Sequence, residues 1–152
     1  MLKLDDVIEA LEIDFAESNN FYDVVNDCVV TVSDDDFRHA EDDDTDLSKM
    51  PEWQRADVEL AGKILYSDKY IRLPGKVEFN EYRHMERFIC LLDEGKAKED
   101  LWQAIHGRGA FRRFKDKIDY YGIAGDWYKY RDEELVAFAK DWCESCDIKY
   151  EE

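Results

Sequence analysis

Apolar residues recur at helical spacing from the start of the chain. Leu4, Val7, Ile8, Leu11 and Phe15 share one face, so residues 3–17 are predicted to form an amphipathic helix. Ser18-Asn19-Asn20 is then expected to break it. Two runs rich in β-branched and aromatic residues follow, Phe21 to Val25 and Cys28 to Ser33. They flank Asn26-Asp27, residue types that tolerate the positive φ of a two-residue hairpin turn. A second helix is predicted from Pro51 to Leu65, with Trp53, Ala56, Leu60, Ala61 and Ile64 on its apolar face. Tyr70-Ile71-Arg72-Leu73, before Pro74-Gly75, reads as a short third strand that extends the hairpin into an antiparallel sheet.

From there the pattern is helical. Asn80 is placed to cap a helix carrying Tyr82, Met85, Phe88, Ile89 and Leu92, ended by Gly95. A helix from Ala97 to His106 carries Leu101, Trp102 and Ile105, and another from Ala110 to Tyr121 carries Phe111, Phe114, Ile118 and Tyr121. Asp126 can cap the last helix, whose face holds Tyr128, Leu135, Phe138, Ala139 and Trp142. These elements give an α+β fold: an N-terminal helix, a short three-stranded antiparallel sheet and a C-terminal helical array. The expected core includes Leu11, Phe88, Phe111, Phe114 and Trp142.

Composition sharpens this outline. At 152 residues with 45% apolar content, the chain is expected to form a single domain over 1–152 with an ample core. No apolar run approaches the ~18 residues of a membrane span, and the first residues lack the pattern of a signal peptide. Four cysteines in a chain with a good core point to reduced thiols and a cytoplasmic protein. The net charge of −17 is uneven: residues 1–48 hold 16 acids and 2 bases. Residues 34–48, with eight acids among the thirteen residues 34–46, are expected to form an exposed, mobile segment. Such a charge opposes membranes and makes double-stranded nucleic acid an unfavourable partner unless a local basic patch intervenes.

One run is specific. Gly107-Arg108-Gly109-Ala110-Phe111-Arg112-Arg113-Phe114-Lys115-Asp116, followed by Trp127-Tyr128-Lys129-Tyr130-Arg131 and Trp142, resembles the C-terminal signature of the bacterial UPF0158 family. The looser features, including Glu81-Tyr82-Arg83-His84-Met85, stand in the order that resemblance implies. It implies a small cytoplasmic α+β protein and brings no activity with it. The chain departs from the family pattern at Asn26-Asp27, where a glycine is expected, and at Cys143 and Cys146.

The chemistry-bearing candidates are few. Arg108, Arg112, Arg113, Lys115 and Lys117 stand against one acid, Asp116. Arg112 can pair with Asp116 and Lys115 with Asp119, at i,i+4 spacing, whereas Arg113 and Lys117 share a face with like charge. Arg108 lies in the turn before a helix N-terminus, where free backbone N–H groups favour an anion. Trp127, Tyr128 and Tyr130, clustered near Arg131, would add stacking surface to a cationic site if exposed. Anion- or partner-binding residues are therefore expected at Arg108, Gly109, Arg113, Lys117, Trp127, Tyr128 and Arg131. The alternative is that these bases dock on the chain's own acids.

Other motifs fall away. Arg108-Gly109-Ala110-Phe111 lacks the alternation of an RNA-binding strand. There is no glycine-lysine-serine or -threonine phosphate loop. The acidic run lacks the ligand pattern of a calcium loop, and Cys143-Glu144-Ser145-Cys146 is half of a zinc site. His84 reads as a surface histidine without a nucleophile or metal partner. The sequence thus points to no metal and no cofactor. It favours a non-enzymatic binding module for a phosphorylated ligand or acidic protein partner. An adaptor using the acidic N-terminal half is the alternative, and an enzyme using His84, Glu86 or His106 comes third.

Overall fold

The chain is seen here in a computed structural model that describes residues 1–13, 17–42 and 45–152. Phe15 and the acids Asp43 and Asp44 lie outside the described residues. In chain order the elements are β1 (Leu2–Lys3), α1 (Leu4–Glu12), β2 (Ser18–Asp23), β3 (Cys28–Ser33), α2 (Asp34–Glu41), a 3-10 turn (Leu47–Lys49), α3 (Glu52–Tyr66) and β4 (Tyr70–Arg72). Then come α4 (Lys76–Phe79), α5 (Glu81–Leu91), α6 (Lys96–Ala104), α7 (Ala110–Tyr120), α8 (Ala124–Ser145) and β5 (Tyr150–Glu151). The class is α+β, as expected. The residues group into two units, Met1–Gly75 with Trp142–Glu152, and Lys76–Asp141. No helix among the described residues is long and apolar enough to cross a membrane.

In the first unit the sheet order is β3-β2-β4, antiparallel throughout, with Phe21 opposite both Val30 and Arg72. Ser18-Asn19-Asn20, expected to be a break, is the first half of the central strand. Cross-strand partners explain this. The Asn19 amide donates to the Val32 carbonyl at 3.2 Å, and Arg72 donates to Asn19 Oδ1 at 2.6 Å. Thr31 donates to Asn20 Oδ1 at 2.6 Å. Neighbours on both edges override a weak strand propensity.

The hairpin turn is also longer than expected. Asp23 and Cys28 are the last paired residues, so Val24 to Asp27 form the loop, with Asp27 at φ 57°. Asp23 is buried, and its carboxylate accepts from Val25 N–H at 3.0 Å, Asn26 N–H at 3.1 Å and the Asn26 amide at 2.7 Å. Burial alone would raise its pKa. These donors outweigh burial and hold it below the usual carboxylate value.

The acidic run is helical over Asp34–Glu41. Ser33 caps it by accepting from Asp36 N–H at 3.1 Å, and Asp34, Asp35 and Asp36 occupy the first turn, where the helix dipole favours negative charge. Phe37 and Ala40 reach the core of Phe21, Val32, Ala61 and Ile64. On α3 the buried residues are Val58, Ala61 and Ile64, and Trp53, expected on the apolar face, is 69% exposed. Two-residue strands β1 and β5 pair in parallel, Leu2 with Tyr150 and Lys3 with Glu151.

The second unit packs around rings. Trp127, Phe114, Phe88, Met85, Ile89, Leu101, Ile105 and Ile118 form one buried cluster from α5, α6, α7, α8 and the α6–α7 connection. Trp127 meets Phe114 at 5.0 Å between centroids and Phe88 at 5.4 Å, both steeply inclined, an arrangement aromatic quadrupoles favour. Asn80 caps α5 as expected, its Oδ1 accepting from Arg83 N–H at 3.3 Å. Helix α8 starts at Ala124, so Asp126 is a first-turn acid and not the cap.

Phe111 corrects the expected core, because it is 47% exposed. Phe114→Ala should therefore cost about 3–5 kcal/mol through lost burial and the cavity left behind, while Phe111→Ala should cost less than about 1 kcal/mol. Urea denaturation of both variants checks this, and equal costs would show that the roll assigned to α7 is wrong.

Candidate functional site

The candidate site is built on the turn before α7. Gly107 (φ 137°) and Gly109 (φ 70°) bracket Arg108. Gly109 is the N-cap residue and takes the left-handed conformation that a side chain would strain. It offers no side-chain acceptor, and no acid occupies the first turn. Arg113 N–H makes its bond to the Gly109 carbonyl at 2.9 Å, leaving the amides of Ala110, Phe111 and Arg112 ahead of it without intrahelical partners. At the other end, Gly122 (φ 68°) closes α7. Gly122 N–H bonds the Asp119 carbonyl at 3.1 Å and Ile123 N–H the Ile118 carbonyl at 2.9 Å.

The core fixes how α7 is rolled. Phe114 and Ile118 point inward. Arg113, Lys117 and Tyr120 then follow one another along an outer flank at i,i+4 and i,i+3 steps. The Arg113 guanidinium folds back on the turn, with Nη1 3.5 Å from where a Gly107 Cβ would stand. Lys117 Nζ lies 5.9 Å from the centre of the Tyr120 ring, a cation–π contact. Arg108, Arg112, Arg113 and Lys115 are exposed. None of these bases forms an ion pair among the described residues, so the expected Arg112–Asp116 and Lys115–Asp119 pairs are not made.

The other expected site residues scatter. Trp127 is 1% exposed at the centre of the core and offers no face to a ligand. Arg131 Nε is bonded to Glu81 Oε1 at 2.8 Å, which neutralises it. Tyr128 is exposed on α8. Three rings that sequence reasoning assigned to a core face, or passed over, are exposed on α6 and α7 instead. Trp102 is 41% and Tyr120 78% exposed, and Phe111 joins them. Trp102 packs on His106, with 4.6 Å between centroids, and Phe111 meets the edge of Tyr82 at 6.5 Å.

A second polar centre lies between α4, α5 and α8. His84, expected at the surface, is buried and stacks on Phe79 at 4.3 Å with 20° between the rings. Its Nδ1 is buried without a hydrogen-bond partner, and Glu134 Oε2 stands 3.7 Å away, beyond hydrogen-bond range. Arg83, Arg87 and Glu134 line a shallow cavity of about 310 Å³ beside it. Burial lowers the His84 pKa. Glu134 pushes it up and Arg87 pushes it down, and burial prevails.

A family model described as an uncharacterised protein family, UPF0158, matches residues 1–151. The chain belongs to the UPF0158 family. A UPF0158 protein of Pseudomonas aeruginosa, PA5073, is 35% identical over 66 residues, 43% of this chain. The matched stretch spans 43% of that relative's length as well. No solved structure matches the chain.

In this UPF0158 chain Cys143 is chemically quiet. Cys143 is buried on α8, and burial pushes its thiol up to about 11, so little thiolate forms at neutral pH. Among the described residues no three His, Cys, Asp or Glu side chains are grouped to hold a metal ion.

His84 gives the site a pH signature. Its folded pKa lies below the ordinary 6.5. The unfolded chain therefore takes up the proton first, and stability falls as pH drops below about 6.5, levelling off below the folded value. His84→Phe, which keeps the stack on Phe79, should remove this contribution. The stability difference between the native chain and the variant should shift in the variant's favour between pH 7.5 and pH 5. Parallel urea midpoints across that range would contradict the assignment.

Proposed function

We propose that this chain is a non-enzymatic cytoplasmic binding module whose turn and helix from Arg108 to Lys117 take a phosphorylated or otherwise acidic partner. The observation that carries this reading is the absence of acid partners, among the described residues, for a cluster of five bases. Arg113 and Lys117 lie on one flank with like charge, a cost of a few tenths of a kcal/mol that no ion pair offsets. Three free amides at the head of α7 and the positive end of its dipole add to the same field.

Charge distribution supports the reading. Lys76–Asp141 contains 13 bases and 14 acids, so nearly all of the −17 belongs to the rest of the chain. The unit that carries α7 is therefore nearly neutral and bears a local cationic ridge. Four free thiols support a reducing compartment. His84 is buried against the Phe79 ring with Glu134 Oε2 3.7 Å from its Nδ1, surroundings that favour a packing role over catalysis.

Inorganic tripolyphosphate is the simplest probe. It should bind measurably at low salt and weaken as salt is raised. Arg113→Gln with Lys117→Gln keeps the aliphatic stems and removes both charges. Losing two charge-assisted contacts should weaken binding at least tenfold, with the denaturation midpoint nearly unchanged because exposed charges add little stability. Calorimetric titration reads this directly. Absent binding by the native chain would overturn the reading and favour the adaptor built on the acidic N-terminal half.

A further inference from the structure

The cavity beside His84 is lined by charges of both signs that do not pair with each other. Arg83, His84 and Arg87 bring one face of α5 to it, and Glu134, Phe138 and Asp141 bring one face of α8. Phe79 of α4 adds an apolar wall, stacked on His84 and edge-on to Phe138 at 5.5 Å. Where opposite charges on α5 and α8 come within reach they pair, as Arg131 Nε and Glu81 Oε1 do at 2.8 Å. Around the cavity they do not. Arg83, Arg87 and Asp141 form no ion pair among the described residues, and neither arginine is paired to Glu134. Two arginines and two carboxylates thus line a common space of about 310 Å³, with Glu78 as a further acid on its wall. The His84 imidazole is a second, independent sign. It is 8% exposed, and its Nδ1 has no hydrogen-bond partner, a state rare among buried polar atoms. The carboxylate that could satisfy it, Glu134, stands 3.7 Å away and lines the same cavity.

We propose that this cavity binds a small zwitterion, a molecule with one carboxylate and one ammonium group such as a free amino acid or a short peptide. Arg83 and Arg87 take the carboxylate, and Glu134 and Asp141 take the ammonium. None of the lining residues comes from α7, so this site is separate from the anion-binding turn and does not depend on it. A guanidinium fork matches a carboxylate with two parallel hydrogen bonds. A simple anion gains those bonds but is repelled by the acids on the other wall, and a simple cation meets the reverse. Only a ligand carrying both charges satisfies both walls, which makes the repulsive half of the site its source of selectivity. Tripolyphosphate, wholly anionic, is opposed by Glu78, Glu134 and Asp141. The volume stands at the small end of ligand pockets and limits the ligand to a few heavy atoms beyond its two charged groups. With one Glu134 oxygen on the ammonium, the other is left to accept from His84 Nδ1 and supply the partner that atom lacks. His84 is thus a positioning residue for Glu134, as befits a nitrogen closed to solvent.

The test titrates the full chain with zwitterions of differing charge separation, namely glycine, γ-aminobutyrate and glycylglycine, and with acetate and methylammonium as single-charge controls. At least one zwitterion should bind roughly tenfold or more tightly than either control. Glu134→Gln should weaken that zwitterion about tenfold and tighten acetate, because a repelling charge is gone while both arginines remain. Arg83→Gln with Arg87→Gln should weaken the zwitterion and tighten methylammonium. A folding defect lowers every affinity together, so these opposed changes separate lost recognition from lost structure, and urea midpoints of the variants check the fold. Nitrogen NMR of the His84 ring should report a new hydrogen bond at Nδ1 when the zwitterion binds. An unchanged signal with binding intact would overturn the part given to His84. Binding of none of the zwitterions would overturn the proposal, as would acetate binding equally tightly or displacement of the zwitterion by tripolyphosphate.

Discussion

The burial of Trp127 against Phe88 and Phe114 is the constraint on which the second unit depends. Its three rings come from α8, α5 and α7, and their inclined contacts at 5.0 and 5.4 Å fix how each helix is rolled. Dense packing allows little adjustment of such a cluster. Once Phe114 and Ile118 are committed inward, helical geometry places Arg113, Lys117 and Tyr120 on an outer flank. The exposure of the basic residues is thus a consequence of the aromatic core.

Both ends of α7 are set by backbone chemistry. Gly109 admits the left-handed turn that starts the helix, and Gly122 the one that ends it. Between them the helix tolerates an uncompensated run of bases because each exposed repulsion is small compared with the burial of one phenylalanine. In the first unit a buried carboxylate plays the corresponding part. Asp23 organises the hairpin loop through three donors, and α2 turns a dense acidic run into a helix by placing three aspartates at its positive end. In the first unit these charges are thus accommodated locally, by hydrogen bonds, a cap and a helix dipole.

Much of the architecture was legible in the sequence because period-3.6 patterns are long and repeated in the C-terminal half. The Asn80 cap and the hairpin at Cys28 to Ser33 were readable from residue type. The central strand at Ser18–Asn20 was not, because its stability comes from neighbours distant in sequence, Val32 and Arg72. Nor was the parallel pair of β1 and β5, two residues each and separated by nearly the whole chain. The site was half legible. Clustered bases announce themselves, but whether an aromatic on a helix faces core or solvent turns on a rotation of a few tens of degrees. That rotation placed Trp127 inside and left Phe111 and Trp53 outside. The burial of His84 was not legible, because it is created by Phe79 on α4, a one-turn helix with no periodicity to read.

The central claim is that the aromatic core presents a cationic ridge with free amides at its head. Residue-resolved amide NMR of the full chain, titrated with tripolyphosphate at low salt, tests it most directly. Shifts concentrated between Gly107 and Tyr120, largest at Ala110 to Arg113 and absent from Asp34–Glu41, are the predicted result. Shifts spread evenly over the chain, or confined to the cavity beside His84, would contradict it.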